Sequence, residues 1–84
     1  MGKLKLNRER TYKKGLLAEK QERISELEIK AERLRKDVNY YLFSEEGIKG
    51  IQFDHARQAF EELTQTIDKY KVLTEEIKRI EEEL

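Results

Sequence analysis

Residues 17–41, LAEKQERISELEIKAERLRKDVNYY, and residues 60–84, FEELTQTIDKYKVLTEEIKRIEEEL, each carry a stripe that steps by three and four. That step keeps side chains on one side of an α-helix, which turns once in about 3.6 residues. The first stripe is Leu17, Lys20, Ile24, Leu27, Ala31, Leu34, Val38 and Tyr41. The second is Phe60, Leu63, Ile67, Tyr70, Thr74, Ile77, Glu81 and Leu84. Read in opposite directions, with paired residue numbers totalling 101, every layer finds a partner: Leu17 meets Leu84, Ile24 meets Ile77 and Tyr41 meets Phe60. The lone charge of the first stripe, Lys20, falls on the lone charge of the second, Glu81, and the small Ala31 faces the bulky Tyr70. Any two seven-residue repeats align in some register, so these two matches carry the information. The expected fold is all-α: an antiparallel two-helix hairpin, a helical coiled coil doubled back on itself.

Composition agrees with long helices. Of 84 residues, 43% are charged and none is proline, a pattern typical of coiled coils. Dense charge alone would also fit a disordered chain, but such chains lack a sustained apolar period. With no cysteine, disulfides and cysteine-based metal sites are excluded. No apolar run approaches the roughly 20 residues that span a bilayer, and the basic start MGKLKLNRERTYKKG has no apolar segment behind it. A cytoplasmic protein with no membrane partner is the expectation.

Net charge is zero but unevenly spread. Residues 1–42 hold twelve Lys/Arg against seven Asp/Glu, and residues 43–84 hold six against eleven. A basic helix lying against an acidic one favours the fold-back over like-with-like pairing.

Local signals place the boundaries. A basic, partly disordered arm is expected over residues 1–15, followed by the hairpin over 16–84. Its helices are expected at about 8–46 and 54–84, joined by a loop at about 47–53. Asn7 is an acceptable N-cap, and Gly15 weakens the helix by about 1 kcal/mol relative to alanine. Gly47 suits the left-handed residue of a Schellman ending with a Phe43–Ile48 contact, and Asp54 can cap the second helix. Gly47 and Asp54 total 101 as well.

Two helices sharing one seam leave it half-exposed, which small chains rarely tolerate alone. The second helix carries a further stripe, Ala59, Thr66, Leu73 and Ile80, expected to be the dimer face of a homodimeric four-helix bundle. Five of the seven aromatic residues, Tyr40, Tyr41, Phe43, Phe53 and Phe60, cluster near the loop with Ile48 and Ile51. The simplest expectation is a satellite core pinning the turn. The competing one is an interaction tip of Tyr40, Phe43, Ile48, Ile51 and Phe53, left open for a protein partner.

Chemistry is sparse. The single histidine, His55, sits where a helix begins, a poor place for an imidazolium, and reads as a surface residue. Bundle di-iron sites need Glu three residues before His, and that position is Gln52. Ser44 has no histidine nearby in sequence. No catalytic, cofactor-binding or metal residue is expected, nor a small-molecule substrate. The functional expectation is a non-catalytic protein-protein interaction or regulatory module built on a dimeric hairpin. The alternative is a small nucleic-acid-associated protein whose arm residues Lys3, Lys5, Arg8, Arg10, Lys13 and Lys14 neutralise phosphates of RNA or DNA.

Overall fold

A computed structural model of the chain describes the backbone of residues 2–84 and the side chains of residues 8–84. It is a helical hairpin. Helix α1 spans Gly2–Leu42, a 3-10 turn covers Gly47–Gly50, and helix α2 spans Phe53–Glu83. The Cα envelope measures 72 × 14 × 14 Å, a rod two helices thick. Among the described residues there is no strand, and no helix is long and apolar enough to cross a membrane. Gly15 lies inside α1, which runs through it without a break.

The expected stripe of α1 is the one that faces α2. Leu34 is buried, and Leu17, Lys20, Ile24, Leu27, Ala31, Val38 and Tyr41 are all half-buried. The stripe expected of α2 is not. Its buried residues are Ala56, Ala59, Thr66, Leu73 and Ile80, with Leu63 and Ile77 half-buried beside them. Phe60, Ile67, Thr74 and Glu81 are exposed. Ala59, Thr66, Leu73 and Ile80, expected to be the dimer face, are therefore interior to the single hairpin and cannot serve a second copy.

The register shifts accordingly. Lys13 Nζ lies 3.2 Å from Glu83 Oε2, Lys20 Nζ lies 2.5 Å from Glu76 Oε2, and the Tyr41 and His55 rings stack at 5.2 Å. In each pair the residue numbers total 96 rather than 101. Lys20 thus meets Glu76, and Glu81 faces solvent.

Two adjacent stripes of α2 compete for the seam, and the open half of the hairpin separates them. There the expected stripe offers Thr74 and Glu81, while its neighbour offers Leu73 and Ile80. Burying a carboxylate costs far more than burying a branched alkyl chain. At the closed half, small Ala56 and Ala59 come within one residue of level with Tyr41 and Val38, setting small residues against large. Thr66, 2% exposed, keeps its hydroxyl satisfied by donating to the Glu62 carbonyl at 2.8 Å. The rotation has a consequence: Phe60 and Ile67, apolar but on the losing stripe, are turned outward.

The Lys20–Glu76 bridge ties the two helices electrostatically. The Lys20 ammonium, hydrogen-bonded to it, holds the Glu76 carboxyl below its ordinary value of 4.5. Glu32 is also lowered, but its partner Arg35 lies three residues along the same helix. A carboxylate lowered in the folded state stabilises above its unfolded pKa, and that contribution is lost as pH falls through the folded value. The urea midpoint should therefore fall on acidification below 4.5. Lys20→Met should flatten that slope, and an unchanged slope in the variant would reject the bridge.

Candidate interaction surface at the closed end

The closed end is built by the loop between Leu42 and Phe53. The Phe43 N–H donates to the Asn39 carbonyl at 3.0 Å, the last full turn of α1. The Ser44 hydroxyl then accepts the Glu46 N–H at 3.1 Å, turning the chain. Such local hydroxyl bonds compete with helix continuation, which accounts for α1 ending four residues before the expected Glu46. Gly47 has a positive φ of 72°, as its sequence position suggested, but it opens the 3-10 turn instead of closing α1. The Gln52 N–H donates to the Tyr41 carbonyl at 2.9 Å and fastens the end of the loop to α1. Helix α2 starts behind Gln52, which makes no side-chain cap bond, and Asp54 lies in its first turn, where the dipole favours a carboxylate.

Gly50 is required by contact. A Cβ there would stand 2.0 Å from Ser44 Oγ and 3.0 Å from Ser44 Cβ. The Ser44 side chain is already engaged with Glu46, so it cannot yield without breaking the turn. Gly50→Ala should lower stability by about 1–3 kcal/mol, the usual cost of overpacking. Adding Ser44→Gly should recover part of that loss in urea titrations. No recovery would mean the loop does not pack this way.

This built loop does not gather its apolar side chains into a satellite core. Ile48 at the apex is 80% exposed, and Tyr40 and Phe43 are each 70% exposed. Phe53, Phe60 and Leu42 are exposed as well, while Ile51 is half-buried. Of the five tip residues, four point to solvent. Tyr41 is the exception among the aromatics: half-buried, it meets Tyr40 edge-on at 5.6 Å and stacks on the exposed His55. Around the turn, Val38, Leu42, Phe53, Ala56, Arg57 and Phe60 line a shallow groove on one side of the rod. The sequence reading had placed Phe60 in the seam, and so missed the groove.

At the open end, α2 stops beside Lys13, and α1 continues about 16 Å past it at 1.5 Å per residue. Arg8, Arg10 and Lys14 of the basic arm are exposed, and Lys13 is paired with Glu83. The side chains of Lys3 and Lys5 lie outside the described residues. Glu81 and Glu82 are exposed beside this end, so the arm's charge is partly offset. Among the described residues no group of three or more His, Cys, Asp or Glu side chains is placed to hold a metal ion. No family model, no curated protein and no solved structure matches this chain, which leaves its own surface as the guide to its function.

Proposed function

We propose that this chain is a non-catalytic protein-interaction or regulatory module, a hairpin that self-associates as a two-fold four-helix bundle and presents its closed end to a protein partner. The supporting observation is the concentration of exposed large apolar residues there, Tyr40, Leu42, Phe43 and Ile48. Monomeric proteins rarely leave such side chains contiguous in water, and patches of this kind mark contacts. The loop that carries Ile48 is fixed by hydrogen bonds at Ser44 and Gln52, so the apolar apex is held in place for docking.

The test is affinity capture from the native host with the full chain and with Phe43→Asp/Ile48→Asp. The reading expects a specific protein held by the first and lost by the second. Identical captures from both would reject the tip as the contact.

A second reading rests on the arm at the opposite end, where Arg8, Arg10 and Lys14 are exposed on a helix running past α2. It takes the chain as nucleic-acid-associated, binding phosphates without sequence preference. Fluorescence anisotropy with RNA and DNA oligonucleotides at about 50 mM salt, where electrostatic binding is strong, decides it. No association under those conditions removes this reading.

A further inference from the structure

We propose that a second copy of this chain docks on the outer row of α2, Phe53, Phe60 and Ile67, with the two α2 helices antiparallel about a two-fold axis beside Phe60. This rests on the self-association put forward above and names its surface. The row is available because the hairpin seam takes Ala59, Thr66, Leu73 and Ile80 instead. Phe53, Phe60 and Ile67 remain 52%, 58% and 39% exposed.

Spacing, shape and charge each point to a copy of the same chain. The three residues stand seven apart, so reversing the row about its centre sets Phe60 near Phe60 and Phe53 near Ile67 of the other copy. The groove beside them supplies the socket. Phe53, Ala56, Arg57 and Phe60 lie along its wall at helical spacings of three, four and seven, the four-residue hole that receives a knob from a facing helix. Two-fold repetition places one such hole on either side of the Phe60–Phe60 contact.

Charge fixes the direction. Arg57 and Glu61, both exposed, are one turn apart on the edge of the row. Reversal brings Arg57 of each copy against Glu61 of the other, so one symmetry operation makes two opposite-charge contacts. An in-register parallel pair would set Arg57 on Arg57 and Glu61 on Glu61, which disfavours that arrangement.

Sedimentation equilibrium of the full chain from about 5 to about 500 µM, a range suited to small interfaces, tests this. Four samples are compared: wild type, Arg57→Glu, Glu61→Arg, and an equimolar mixture of the two variants. The wild type should dimerise, and each variant alone should dissociate at least about tenfold more readily. The mixture should recover the dimer, because the carboxylate introduced at position 57 faces the guanidinium introduced at position 61. Within each variant chain the two positions still carry like charges, so recovery cannot come from pairing along one helix. Circular dichroism confirms that both variants stay helical. A wild-type dimer that ignores the single substitutions, or a mixture that stays dissociated, overturns this surface and leaves self-association standing. A wild type that is monomeric throughout overturns both.

Discussion

Leu73→Asp should unfold the hairpin, whereas Ile67→Asp should leave it helical. Leu73 is 6% exposed in the seam of α2, and Ile67, on the outer row, is 39% exposed. A carboxylate at position 73 would lose its water inside the apolar seam, a cost of several kcal/mol that Arg23 and Lys69, which line the groove beside it, offset only in part. Cores of chains this short seldom supply more than about 3–5 kcal/mol, so the substitution consumes the stability available. At position 67 the carboxylate reaches water, and the cost to the single hairpin should stay near or below about 1 kcal/mol. Thermal melts followed by far-UV circular dichroism separate the two. A folded Leu73→Asp chain beside an unfolded Ile67→Asp chain would mean that α2 faces α1 with the other stripe.

Leu34→Ala should be the most damaging truncation on α1, lowering stability by about 2–4 kcal/mol. Among the described side chains of α1, Leu34 alone is buried, at 3% exposure, one heptad from the closed end of the seam. Ile29→Ala is the matched control. That side chain is 73% exposed on the outside of α1, and its loss should fall within about 0.5 kcal/mol. Urea midpoints measured side by side would show the contrast. Equal losses at the two positions would mean that the α1 stripe is misassigned.

Much of this architecture was legible from residues alone. The α1 stripe from Leu17 to Tyr41 could be read because that helix offers one apolar face and surrounds it with charge. The hairpin itself followed from that stripe, its counterpart and the glycines between them. The rotation of α2 was not legible, since Ala59, Thr66, Leu73 and Ile80 compete with Phe60, Ile67, Thr74 and Glu81 at a difference of one residue. The deciding terms are long-range: which stripe keeps Glu81 out of the seam, and where the loop lets α1 end. Agreement between Gly47, Asp54 and the supposed register reinforced an error, because the turn begins at Phe43 through the Ser44 hydroxyl. Sequence correctly singled out Gly47 for its positive φ, and misplaced the helix end that it was thought to close.

The candidate surface was partly legible for the same reason. Tyr40, Phe43, Ile48, Ile51 and Phe53 were recognisable as an aromatic and aliphatic cluster, but clustering in sequence does not say whether side chains cover one another. The fold leaves most of them in water. Phe60 and Ile67 joined the exposed apolar surface only through the rotation of α2, so no local pattern could have placed them there.

The central claim is the alignment of α2 on α1, and zero-length carbodiimide coupling of the unaltered chain measures it most directly. The reagent joins a lysine amine to a carboxylate already in contact. Mass mapping of the coupled monomer should recover Lys13 joined to Glu83 and Lys20 joined to Glu76, the pairs at 3.2 and 2.5 Å. Recovery of Lys20 joined to Glu81, with neither of those pairs present, would contradict the alignment and return Ala59, Thr66, Leu73 and Ile80 to the outside of the hairpin.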